Sequence, residues 1–175
     1  MIADVVHAGD GGLELPAALF ERHHGELYAY LCRLLRDRQW AQDLAQETFL
    51  RAFRARRSLD QVQNHRAWLY RIATNLALNA LKRRRRFAWL PWSLADRNPA
   101  GRQDVAEELS SRNAVESALA ALPEELRAPL LLYAHHGLSV AEVAEALGLS
   151  KGAVKMRLCR GRRLFRQAYE RGDVR

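Results

Sequence analysis

The chain has 175 residues, 49% of them hydrophobic and 27% charged, with 28 Lys and Arg against 20 Asp and Glu. That length suits one or two small domains, each able to bury a core. Two cysteines, Cys32 and Cys159, exclude a disulfide framework and a paired-cysteine metal motif, and no apolar run approaches the roughly 20 residues of a membrane span. The start, MIADVVHAGDGG, lacks the basic opening and long apolar segment of a signal peptide, so a soluble, cytoplasmic protein is expected.

The net charge of +8 is unevenly spread. Residues 1–86 hold 15 basic and 9 acidic side chains, residues 87–122 hold 3 and 5, and residues 123–175 hold 10 and 6. Two basic blocks flanking a slightly acidic one suggest two polyanion-binding modules on a connector.

Almost every periodic stretch repeats at helical spacing. From Pro16 to about Arg36, Leu19, Phe20, Leu27, Leu31, Leu34 and Leu35 make a broad apolar face, with a break expected near Gly25. Asp37 is placed to cap a helix from Arg38 to about Arg56, offering Leu44, Phe49, Leu50 and Phe53 to the core. After a polar, irregular stretch from Ser58, Asn64 is placed to cap a helix from His65 to about Arg86, with Leu69, Ile72, Leu76 and Leu81 apolar. Pro91, Pro99 and Gly101 then interrupt the pattern, which marks a flexible linker, with helical spacing resuming near Val105. Beyond it come Val115, Leu119 and Leu122, and a helix with Pro123 in its first turn, Leu126, Leu130, Leu131 and Tyr133 along it, and Gly137 at its end. Pro129, inside that helix, should kink it or weaken a backbone bond. The expected fold is all-α: two small helical domains, 13–86 and 112–171, joined by the linker 87–111.

The most informative stretch runs from Ser139 to Arg166. Ser139 and Glu142 form a Ser-x-x-Glu capping box, and Val140, Val143, Ala144 and Leu147 form one apolar stripe. Gly148 ends that helix, and Ser150 can cap the next. In the second helix Val154, Leu158, Gly161 and Phe165 share a face. Met156, Cys159 and Arg163 point away from it, flanked by Lys155, Arg160, Arg162 and Arg166. A short helix, a glycine turn and a basic helix with an exposed face make a helix-turn-helix, which predicts duplex DNA as partner.

The first module carries two polar arrays. Asp43, Gln46 and Glu47 lie at i, i+3 and i+4 on one helix face. Such a face can hold a metal, dock on a basic protein surface, or stand in solvent with intrahelical Arg pairs. Trp68, Arg71, Asn75 and Asn79 form one stripe, followed by the run Lys82 to Arg86. An aromatic ring, a cation and two amides in a row suit single-stranded bases, with the basic run on phosphates. Core packing explains Trp68 alone equally well.

The segments DLAQETFLRAF, RAWLYRIATNLALN and ALPEELRAPLLL…GLSVAEVAEALGLSKGAVKMRLCRGRRLF together resemble the extracytoplasmic-function (ECF, group IV) subfamily of the sigma-70 family of bacterial RNA polymerase sigma factors. The resemblance covers about residues 16–86 and 112–168. It implies a region 2 and a region 4 that bind core RNA polymerase at the largest-subunit clamp and the flap. By that resemblance Asp43, Gln46 and Glu47 face the clamp. The loop Leu59 to Arg66, with Trp68, Arg71, Asn75, Asn79, Lys82 and Arg83, opens the promoter minus-10 element. Lys155, Met156, Cys159 and Arg160 read the minus-35 element, and Lys151, Arg157 and Arg162 sit on phosphates. Control by an anti-sigma factor, often membrane-anchored, is also implied. No catalytic residue, metal, cofactor or small-molecule substrate is expected.

Two other classes compete. A free-standing helix-turn-helix regulator would bind an operator as a dimer and need neither polar array of the first module. A metal-dependent nucleic-acid enzyme would use Asp43, Glu47 and a histidine. The adjacent pairs His23-His24 and His135-His136 suit one metal poorly, because helical neighbours point about 100° apart.

Overall fold

The computed structural model describes residues 11–55, 62–87 and 110–172, and every regular element among them is helical. The order is α1 (Gly11–Leu35), α2 (Arg38–Arg54), α3 (His65–Phe87), α4 (Ser110–Ala120), α5 (Glu124–Leu130), a π-helical turn (Leu131–His135), α6 (Val140–Leu147) and α7 (Lys151–Gly172). Most of the expected linker, including the resumption of helical spacing near Val105, lies outside the described residues. So does most of the polar stretch between α2 and α3.

α1 starts upstream of Pro16 and passes through Gly25 without the expected break. Gly25 is exposed, with open space where a side chain would be, so it lowers helix propensity by about 1 kcal/mol but forfeits no packing. Leu27, Tyr30, Leu31 and Leu34, spaced i, i+3, i+4 and i+7, are fully buried and hold the helix in place. Phe20, expected in the core, is 44% exposed and meets Phe49 edge-on at 4.9 Å.

α2 corrects a second expectation. Its inward stripe is Ala41, Ala45, Thr48 and Ala52, whereas Leu50 and Phe53 are exposed and Leu44 and Phe49 only half-buried. Small residues let α2 approach α1 and α3 closely, so the larger side chains are displaced to its flanks. α3 does the same with Ala67, Ala73, Ala77 and Ala80, leaving Ile72, Leu76 and Leu81 half-buried. Between the three helices the Tyr30 hydroxyl and Thr74 Oγ1 lie 2.8 Å apart, which satisfies two polar groups inside the core.

In the second module Pro123 is the N-cap of α5 rather than a first-turn residue. Pro129 is buried within α5 and does not break it; the next turn widens instead, with the His136 amide donating to the Leu131 carbonyl at 3.0 Å. Gly137, at φ +67, ends the segment in the left-handed region that favours glycine. Val115 is 39% exposed, while Leu119 and Leu122 are buried as expected.

The two modules share one core. α3 packs along α6, and Leu34, Tyr70 and Ala73 of the first module belong to the same buried cluster as Leu131, Leu138 and Val143 of the second.

Candidate nucleic-acid interface

The helix-turn-helix is built by its caps. The Glu142 amide donates to Ser139 Oγ at 3.2 Å, and the Ser139 amide donates to Glu142 Oε2 at 2.7 Å, so the capping box is closed. These bonds hold the Glu142 carboxyl below its usual range. Gly148 adopts φ +62, and Ser150 Oγ accepts from the Ala153 amide to open α7. Val154, Leu158 and Gly161 face inward. At Gly161 a Cβ would stand 3.3 Å from the Leu126 carbonyl oxygen, so α7 lies backbone-close against α5.

That inward face fixes the outward one. Lys151, Lys155, Met156, Cys159, Arg160 and Arg163 are exposed, Met156 at 65%. Arg157 is half-buried on the flank, and the Arg162 guanidinium lies over the Tyr133 ring at 5.1 Å. The result is an unobstructed basic face, with Met156 and Arg163 at its centre.

In the first module Asn64 Oδ1 accepts from the Ala67 amide at 2.9 Å and starts α3. Arg71, Asn75, Asn79, Lys82 and Arg83 are all exposed, and Trp68 is half-buried against Leu19, Ala52 and Leu69. The aromatic ring anchors the stripe while the cation and amides stand free. On α2, Asp43 and Gln46 are exposed, and Glu47 accepts from Arg51 Nε at 2.7 Å. Leu50, half exposed, sits among them.

Three features escape the sequence reading. Arg127, nearly fully buried, donates to the carbonyls of Leu119, Ala120 and Leu122 near the end of α4 and to that of Leu34 near the end of α1. A cation among helix C-terminal carbonyls is favourably placed in their dipoles. Buried His136 lies with Nδ1 2.8 Å from the Tyr70 hydroxyl, and its carbonyl accepts from Arg66 at 2.6 Å. Burial drops the His136 pKa to about 4, and Nε2 has no hydrogen-bond partner among the described residues. Asn64 Nδ2 donates to Glu142 Oε1 at 2.6 Å, which ties the start of α3 to the start of α6. None of these had a signal in the sequence beyond the residue type.

A groove of about 460 Å³ opens between α4, the π turn and α7, with Leu119, Leu130 and Phe165 among its apolar lining and Arg33, Arg162 and Arg166 at its edges. No group of three or more His, Cys, Asp or Glu among the described residues is arranged to hold a metal, and none of their helices is long and apolar enough to cross a membrane.

Residues 19–87 match the family Sigma-70 region 2, and residues 112–165 match Sigma-70, region 4. The ECF RNA polymerase sigma factor SigL of Mycobacterium tuberculosis is 33% identical over 161 residues, covering 90% of each chain. SigE of Mycolicibacterium smegmatis is 35% identical over 158 residues; the match covers 85% of this chain and 59% of that longer relative. Among solved structures, CnrH in complex with the cytosolic domain of CnrY is 28% identical with a TM-score of 0.67, covering 91% of this chain and 90% of that one. RpoE, bound to the anti-sigma factor NepR from Bartonella quintana, shares the fold at a TM-score of 0.71 and 22% identity, covering 90% of this chain and 98% of that one. A helix-turn-helix and a three-helix module, each with an exposed polar array, define a two-module helical DNA-binding protein. The chain belongs to the ECF RNA polymerase sigma factors of the sigma-70 family.

Proposed function

We propose that this chain is a cytoplasmic, group IV sigma factor that binds core RNA polymerase and directs it to a two-element promoter, catalysing nothing itself. The observation that carries this reading is the presence in one chain of two exposed arrays of different chemistry. The stripe Trp68, Arg71, Asn75 and Asn79, with Lys82 and Arg83, suits opened minus-10 bases and their phosphates. The face Lys155, Met156, Cys159 and Arg160, with Lys151, Arg157 and Arg162 beside it, suits the major groove of the minus-35 element. Asp43, Gln46 and Glu47 form the clamp-docking face.

An anti-sigma factor is the proposed regulator, by analogy with the complexes that similar sigma factors form. The apolar groove edged by Arg33, Arg162 and Arg166 suits an amphipathic partner helix with acidic flanks. Run-off transcription with core polymerase on a promoter library tests the proposal. Transcripts sharing a two-element consensus support it. Tight operator binding by a dimer of the isolated protein, without polymerase, favours the free-standing regulator instead.

A further inference from the structure

Along α7 the line directly opposite the core is, in its opening turns, not basic. Val154, Leu158 and Gly161 are buried, so at about 100° per residue Gly152, Met156, Cys159 and Arg163 fall on the far side. Gly152, Met156 and Cys159 are all exposed, and none carries a charge. Cations flank them, with Lys155, Arg162 and Arg166 along one side and Arg160 on the other. The helix therefore presents a neutral seam between two basic margins.

Packing among the described residues does not account for that seam. A Cβ at Gly152 would meet only Ser150 Oγ, at 3.9 Å, so the fold does not require glycine there, and a helical glycine lowers propensity. Met156, 65% exposed, is the most exposed large hydrophobic side chain among the described residues and packs on neither buried cluster. Its thioether offers no donor and only a weak acceptor, and the Cys159 thiol is weak in both roles. On the major-groove floor, purine N7 and O6 and the amino groups of adenine and cytosine need strong partners, whereas the thymine C5-methyl needs none. Set against the polar edges, Met156 would leave desolvated groups unpaired; set against a methyl, it buries apolar surface on both sides. Gly152 removes a side chain that would hold the start of α7 off the bases. From Gly152 to Cys159 the helix axis advances about 10 Å, against a groove about 12 Å wide, so both sulfur-bearing side chains fit within it.

We propose that Met156 and Cys159 are specificity-determining residues for thymine, each packing on a C5-methyl group of the minus-35 element beside the pair that Arg160 reads. This rests on the promoter-recognition reading above and adds to it the bases that these two residues select. At i and i+3 their Cβ atoms are about 5–6 Å apart, which spans one or two steps of a duplex rising about 3.4 Å per pair. The two thymines, on either strand, therefore occupy adjacent or next-adjacent pairs.

Holoenzyme assembled from the full chain tests this in two stages. Run-off transcription first selects the preferred promoter from a library randomised at the minus-35 element, which should hold thymines at that spacing. Deoxyuridine then replaces each thymine in turn, keeping the base pair and removing only the methyl group. Holoenzyme affinity should fall about fourfold at each of the two positions, as expected for one buried methyl. In Met156→Ala the substitution should cost nothing further at one position, and in Cys159→Ala at the other. Both sites are exposed and helical, where alanine preserves the fold. A selected element without thymine, no loss with deoxyuridine in the wild type, or an undiminished loss in both variants overturns the proposal. A loss that persists in one variant removes that residue as a thymine reader. If no promoter in the library yields a transcript, the promoter-recognition reading itself fails, before any base analogue is introduced.

Discussion

The guanidinium of Arg127 donates to the carbonyl of Leu34, 93 positions earlier in the chain, at 2.9 Å, and its other donors go to three carbonyls near the end of α4. One buried cation thus satisfies acceptors from two helix ends in two modules. Arg127→Met should lower unfolding stability by about 3 kcal/mol, since it strands buried carbonyls and removes charge-assisted bonds. Urea unfolding measures this; a loss below about 1 kcal/mol would mean that water replaces the guanidinium without penalty.

His136 makes the folded chain acid-sensitive. Its folded pKa, about 4, lies below the ordinary value of 6.5, because burial disfavours the charged ring and the His135 and Arg66 side chains add to that. The unfolded chain therefore binds more protons between those values. Stability from this group is present above pH 6.5 and lost as pH falls toward 4, by at most about 3 kcal/mol. Glu142, whose pKa is lowered, loses its contribution only as pH falls below the ordinary carboxylate value, 4.5, so most of the histidine window can be read separately. As pH falls from 7 to 4.5 denaturation midpoints should drop in the wild type and drop less in His136→Phe, the remaining slope coming from His23 and His135, whose pKa values burial also lowers.

On α2, Asp43→Arg or Glu47→Lys should abolish holoenzyme assembly while leaving helicity intact, because charge reversal on a docking face is repulsive. Both side chains project away from the Ala41–Ala52 stripe, so the fold should tolerate the change. Gel-shift assembly with core polymerase is the assay. Normal assembly by both variants would remove the proposed clamp contact.

On α7, Arg160→Ala should relax preference at one or two minus-35 base pairs, at a cost of about 1–3 kcal/mol of discrimination. Lys151→Ala should weaken all promoters about equally, as the loss of a phosphate contact does. Transcription from promoters randomised at the minus-35 element distinguishes the two patterns. A uniform loss with Arg160→Ala would mean that the reading face lies elsewhere on the helix.

What was legible in the sequence was local. Asp37, Asn64, Ser139 with Glu142, and Gly148 act through bonds within a few residues, and each caps or ends its helix where expected. The inward face of α7 followed from spacing alone. Bulk misled at Leu50, Phe53 and Phe20, because apolar size marks core candidates while the buried stripe of α2 is Ala41, Ala45, Thr48 and Ala52. Arg127, one arginine among many in a basic chain, is defined only by carbonyls that distant segments bring to it. The tie between Asn64 and Glu142 is likewise a product of packing between modules, which no periodicity encodes.

The wide turn from Leu131 to His135 sets the register of everything after it. Continued at ordinary helical spacing from Ala128, Leu131 and Leu132, the inward position would be His135; the extra residue in the turn delays it, so His135 is exposed and His136 buried. Adjacent histidines are thereby sorted into opposite environments by a single inserted residue. Regularising that turn without removing a residue would give a better helix and a worse protein, because His135 would take the inward position and the imidazole that meets Tyr70 would swing about 100° toward solvent. At this point the chain gives up local regularity for long-range fit.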